Sequence, residues 1–154
     1  NRIEYLASGL ECRIIFLDHL SILLSGLDGD ERRMIDSTMT KLRSLVERTG
    51  IALFLVSHLR RTNSDSNSHE EGGRVSLGQL RGSHSIAQLS DSVIALERDQ
   101  QGEANANLTT LRVLKNRFSG EVGVATTLSY DLSTCQFYET KSEDTVEFNP
   151  ATDF

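Results

Sequence analysis

The sequence is short of cysteine, proline and long apolar runs, and each shortage excludes something. Cys12 and Cys135 lie far apart and belong to no CxxC or Cys/His cluster of metal-site spacing, which excludes a zinc module and a disulfide framework and leaves two ordinary thiols. No apolar run approaches the roughly 20 residues of a membrane span. The first residues also lack the basic, apolar, small-residue pattern of a signal peptide. The expectation is a soluble, cytoplasmic protein with no membrane partner. The single proline falls in an acidic C-terminal stretch, and the chain opens on Asn1 in place of Met, which suggests that the numbering begins inside a larger fold. What is present suits one domain: 154 residues, of which 38% are hydrophobic and 25% charged. A net charge of -6 argues against a generally basic nucleic-acid coat, but leaves room for basic residues on particular loops.

Periodicity gives an α/β order. Arg13 to Leu17 (RIIFL) reads as a strand buried on both faces, ending at Asp18 and His19. After a Gly/Asp turn, Asp30 caps a helix in which Met34, Ile35, Met39, Leu42, Leu45 and Val46 recur every three or four residues, with Gly50 as the stop. Ile51 to Val56 (IALFLV) reads as a second buried strand ending at Ser57 and His58, completing a βαβ unit. From Arg60 to Gly73 almost nothing is apolar, the composition of a mobile loop of functional length. Leu77 to Leu89 reads as short helical pieces broken at Gly82, and Ser92 to Leu96 as a third buried strand. Leu108 to Leu114 and Val122 to Tyr130 predict an antiparallel pair, so that a mainly parallel sheet becomes mixed near its end. Residues 1–139 are the expected domain and 140–154 an acidic, disordered tail.

Three places carry chemistry. An apolar strand that ends in Asp18 is how ATPases set the carboxylate associated with Mg²⁺, although an aspartate there also serves as a turn or cap residue. His58, at the end of the next strand, suits a polar group that senses a γ-phosphate, and equally a loop histidine. Lys115 and Arg117, two residues apart at a strand end, share a face. A guanidinium there suits charge on a transferring phosphoryl group, and also the blunting of an exposed sheet edge.

Taken together, LDHLSILLSG, DERRMIDSTMTKLR, SHLRR, HEEGGRVSLGQLRGS, QLSDSVIALERDQQG and LKNRFSGEVG resemble the helicase domain of the T-seven-type phage primase-helicases, DnaB-like ring helicases with a RecA-like core. The resemblance runs from about Gly9 to Glu139, and more loosely through the tail to Phe154. It implies a homo-hexamer or heptamer that encircles single-stranded DNA and moves 5′ to 3′ on hydrolysis of ATP or dTTP with Mg²⁺, placed in the host cytoplasm if the gene is a phage's. By the same resemblance, Asp18 matches the Mg²⁺-associated aspartate, His58 the γ-phosphate sensor and Gln88 a second sensor. Arg117 matches an arginine finger acting on a neighbour's site, with Lys115 beside it. Arg98 and Tyr130 match the pair that flanks the base, Arg60 and Arg61 match DNA contacts, and the tail with Phe154 matches a contact for the replicative DNA polymerase.

The sequence departs from the pattern in four ways. The central loop carries Asn63, Ser64, Asp65, Ser66, Asn67 and Ser68 where the family has further lysines. Ala87 stands where the family has an arginine. No GxxxxGK[ST] loop occurs. The catalytic glutamate expected on the strand after that loop is missing too. These last two, and any primase, are expected upstream of residue 1, and the chain alone is expected to be inactive. The rival reading is a non-enzymatic fragment that binds DNA or polymerase; a RecA-like recombinase fits the RFSGEVG block less well.

Overall fold

The computed structural model describes residues 2–24, 29–60, 68–80, 84–102 and 106–140. Helix α1 (Arg2–Glu4) runs into a π-helical turn (Tyr5–Gly9) before strand β1 (Ile14–Leu17) and the short helix α2 (Leu20–Leu24). The long helix α3 spans Glu31–Thr49 and leads to β2 (Ala52–Leu55). A 3₁₀ turn (Leu77–Gln79) and α4 (His84–Leu89) precede four strands: β3 (Ser92–Glu97), β4 (Leu108–Asn116), β5 (Gly123–Asp131) and β6 (Gln136–Thr140).

Helix α3 forms where capping and periodicity place it. The Asp30 carboxylate accepts from the backbone N–H of Arg32 and Arg33, and Gly50 ends the helix in the left-handed region at φ 67°. Its stripe of Ile35, Met39, Leu42 and Leu45 is buried. Each such side chain contributes on the order of 1.5–3 kcal/mol, so the stripe rather than helix propensity fixes the helix. Ile35, Met39 and Leu42 pack with Leu20, Leu24, Leu80 and Ile86, and Leu45 packs with Ile15 and Ile51. One face of the strands, α2, α4 and α3 therefore share a core.

Strands β1 and β2 pair in parallel, with Leu17 opposite Leu55. Strands β3, β4, β5 and β6 form an antiparallel sheet in that order, with register shifts at Val93/Ile94 and Leu111/Arg112. Among the described residues these are two separate sheets, where one mixed sheet was expected.

Burial of the strands also differs from expectation. Ile15 is buried, but Ile14 is 61% and Phe16 72% exposed, and Phe16 stacks on Phe54 with centroids 4.7 Å apart. On β3, Ala95 and Glu97 are buried while Ile94 and Leu96 stand exposed. An apolar run signals that a strand is buried, not on how many sides. Here α3 and its neighbours cover one face only. Two elements were not foreseen: α2, in a stretch to which the sequence reading gave no element, and β6, whose last residue is Thr140. Residues 141–154 lie outside the described residues, as do Gly82, Arg61 and most of the loop to Asn67. The described end of that loop is built from turns: the Ser68 carbonyl accepts from the N–H groups of Glu71 and Gly73, and Glu71 pairs with Asp99 in an isolated bridge. Both cysteines are free thiols.

Candidate nucleotide site

The carboxyl ends of parallel strands are where α/β sheets deliver side chains to ligands. The ends of β1 and β2 are stitched together by Val56 N–H donating to the Leu17 carbonyl (2.9 Å) and Leu20 N–H donating to the Val56 carbonyl (3.0 Å). Asp18 and His58 are therefore neighbours, both exposed. The ring of His19 meets that of His58 edge-on, with centroids 4.2 Å apart. Its Nδ1 is buried without a hydrogen-bond partner among the described residues. His19 was not singled out beforehand, although each strand ends in a polar residue followed by histidine.

A second group gathers at the carboxyl end of α4. The Lys115 ammonium donates to the carbonyls of Ala87 (2.7 Å), Gln88 (3.1 Å) and Ser90 (2.9 Å). An ammonium has three donors, so Lys115 is committed within its own chain, closing the negative end of the helix. Arg117 places Nη2 3.0 Å from the Gln88 carbonyl and Nη1 2.9 Å from the Asp91 carboxylate. The other Asp91 oxygen takes Arg43 of α3 at 2.7 Å. Lys115 and Arg117 thus gather at the end of α4 with Gln88, which contributes its backbone carbonyl to both. Asp91 and Arg43 are additions that sequence spacing did not signal.

A third group flanks residues 106 and 107. Arg98 Nε donates to the Ala106 carbonyl (2.6 Å), and Tyr130 N–H donates to the Asn107 carbonyl (2.9 Å). The Tyr130 ring lies 4.9 Å from that of Phe137. A side-chain hydrogen bond with Cys135 holds the Tyr130 phenol above its usual range, with burial adding to it, while the positive charge of Arg98 pulls the other way. Arg98 and Tyr130 therefore share one locale.

Between these groups, Glu97 is buried and accepts from Arg112 Nε at 2.9 and 3.0 Å and from Val75 N–H at 2.8 Å. Burial pushes its carboxyl up, but the bonds from Arg112 and Val75 and the charges of Arg112 and Arg74 outweigh that and hold it below the usual carboxylate range. Of the expected DNA contacts, Arg60 is exposed, its N–H donating to the Gln79 carbonyl and its own carbonyl meeting His69 Nε2 at 3.1 Å. Among the described residues no cluster of three or more His, Cys, Asp or Glu forms a metal cage, and no helix is long and apolar enough to cross a membrane.

This architecture is shared with solved structures. The ATPase domain of another protein superposes with a TM-score of 0.69 at 20% identity, over 90% of this chain and 51% of that one. A DnaB-like replicative helicase, solved with attention to its interactions with primase, gives 0.70 at 19% identity, over 88% of this chain and 34% of that one. The fold is that of RecA-like helicase domains. At the level of sequence, residues 2–139 match the model of the DnaB-like helicase C-terminal domain, and the chain belongs to that family. It is 45% identical over 134 residues to the DNA helicase/primase of Enterobacteria phage T3, covering 86% of this chain and 23% of that protein, so it spans less than a quarter of that relative's length.

Proposed function

We propose that this chain is the C-terminal part of a replicative DNA helicase that couples hydrolysis of a nucleoside triphosphate, ATP or dTTP, to 5′–3′ movement on single-stranded DNA and unwinding of duplex. The observation that supports it best is the placement of Asp18 and His58 at the stitched carboxyl ends of β1 and β2, where the ring of His19 meets that of His58, in a chain of the DnaB-like family. Asp18 offers one exposed carboxylate, the donor set that magnesium takes when phosphates and waters complete its shell. Bound there, the ion would neutralise charge on the β- and γ-phosphate oxygens.

The chain's own residues divide the remaining work. His58 touches the terminal phosphate and reports its loss towards the loop that follows, where Arg60 and Arg61 meet DNA phosphates. Arg98 and Tyr130 hold the base, and Arg117 reaches the phosphates bound by a neighbouring subunit. Such a division needs neighbours joined head to tail, because finger and aspartate belong to different chains, and the assembly proposed is a closed ring of six or seven copies. The phosphate-gripping loop, the catalytic glutamate and any primase belong to the remainder of the full-length protein, and this chain by itself is inactive.

Unwinding of a forked duplex by the full-length protein tests the reading. A fork with a 5′ single-stranded tail on the encircled strand is expected to open only with magnesium and nucleotide. Binding to that fork without nucleotide-dependent opening, under conditions where rings form, would favour a binding module instead.

A further inference from the structure

Asp91 holds Arg117 twice. Its carbonyl accepts the Arg117 backbone N–H at 2.8 Å, and its carboxylate Oδ1 lies 2.9 Å from Nη1 of the guanidinium. Asp91 is itself fixed, since it follows Ser90, whose hydroxyl and N–H both bond the Ile86 carbonyl at the end of α4, and precedes the first residue of β3. A guanidinium has five N–H donors. Asp91 and the Gln88 carbonyl take one from each terminal nitrogen, while the side chain stays 42% exposed. Arg117 is thus gripped along one edge with donors left for an incoming oxyanion, whereas Lys115 has spent all three of its own inside the chain.

Arg43 fixes the same carboxylate from its other side. Its Nη1 lies 2.7 Å from Asp91 Oδ2, so two guanidinium groups share one carboxylate and each Asp91 oxygen has its own partner. Arg43 is itself held by Glu47, 2.7 Å from its Nε, so the two cations and two carboxylates balance and the role of Arg43 is to hold Asp91 in place.

We propose that Asp91 is a positioning residue for Arg117, pre-setting the guanidinium for a neighbour's phosphates, and that Arg43 holds Asp91 in that pose by taking its second oxygen. The proposal rests on the reading of Arg117 as the finger in trans. Donors set in place before charge develops stabilise a transition state without reorganising, and a free arginine would have to give up rotamer entropy at each turnover.

DNA-stimulated hydrolysis by the full-length protein, measured with ATP and a single-stranded oligonucleotide, tests it. Asp91→Asn is expected to lower kcat by at least about tenfold with KM nearly unchanged, less than the roughly 10³-fold or greater loss from Arg117→Ala. Asp91→Glu is expected to recover part of the rate. In the Arg117→Ala background Asp91→Asn is expected to cost nothing further, because it acts through that side chain. Parent kcat in Asp91→Asn, or losses that multiply in the double variant, overturns the proposal while leaving the finger intact. Parent hydrolysis in Arg117→Ala alone overturns the finger reading instead. If Asp91→Asn does not assemble into rings, Arg43→Gln takes its place: a lower kcat that vanishes as an effect in the Arg117→Ala background supports the positioning chain from Arg43 through Asp91 to Arg117, and parent kcat contradicts it.

Discussion

Glu97 and Arg112 form an ion pair across β3 and β4, with side chains only 6% and 15% exposed and Nε within 2.9 and 3.0 Å of the two carboxylate oxygens. The Val75 N–H on Glu97 ties the segment before the 3₁₀ turn to the same pair. Removing one partner leaves a buried charge uncompensated, a loss of about 3–5 kcal/mol. Glu97→Gln is therefore expected to lower the unfolding midpoint of this domain clearly. Because the folded carboxyl lies below its ordinary value, the pair contributes fully above the unfolded pKa and is lost as pH falls through the folded one. The difference between parent and Glu97→Gln should then shrink as pH drops below about 4. Equal midpoints at neutral pH would remove the pair from the account.

His58, proposed as the sensor that links nucleotide to DNA, has His19 packed on its ring. His58→Ala in the full-length protein is expected to keep nucleotide binding and basal hydrolysis while losing most stimulation by single-stranded DNA. Hydrolysis assays with and without an oligonucleotide read this out. A variant stimulated as strongly as the parent would assign the sensor elsewhere.

Arg98 and Tyr130, anchored at residues 106 and 107, are the pair proposed to flank the base of the nucleotide. Stacking on an aromatic or guanidinium face contributes about 0.5–1.5 kcal/mol. Tyr130→Ala should raise the KM for nucleotide several-fold with little change in kcat, and Tyr130→Phe should behave as the parent. A fall in kcat at unchanged KM would place Tyr130 outside the base-binding role.

Residues Thr140 to Phe154 carry four carboxylate side chains and one lysine, and end in an aromatic residue. In the proposed contact with the replicative polymerase, acidic residues would steer such a segment to a basic surface and Phe154 would supply an apolar anchor. Removing residues 141–154, or changing Phe154→Ala, is expected to weaken association with the replicative polymerase and leave hydrolysis unchanged. Association of the parent should fade as salt rises. Equal affinity in parent and variants across that range would contradict the assignment.

Helix α3 was legible because its signals are local: the Asp30 cap, the three- and four-residue spacing from Met34 to Val46, and Gly50. The existence of β1 and β2, and the polar groups at their ends, were legible for the same reason. Which faces are covered was not, since IIFL looks alike whether Phe16 is buried or, as here, open beside Phe54. Strand β6 (QFYET) escaped because its pairing with β5 leaves most of it exposed, without an apolar alternation to betray it. Asp91 and Arg43 lie 48 residues apart, and only the packing of α3 beside the α4 end brings them to Arg117.

The most direct test of the central claim is to mix full-length subunits carrying Arg117→Ala with subunits carrying Asp18→Asn. Each variant alone is expected to form rings without DNA-stimulated hydrolysis. Where an Arg117→Ala subunit supplies Asp18 and its neighbour supplies Arg117, the composite site is intact, and in an equal mixture about one site in four has that composition. The account predicts that hydrolysis returns on mixing, peaks near equal proportions and vanishes at either end. Mixed rings that stay inactive at every ratio would contradict it, because they would show that the two residues do not meet across subunits.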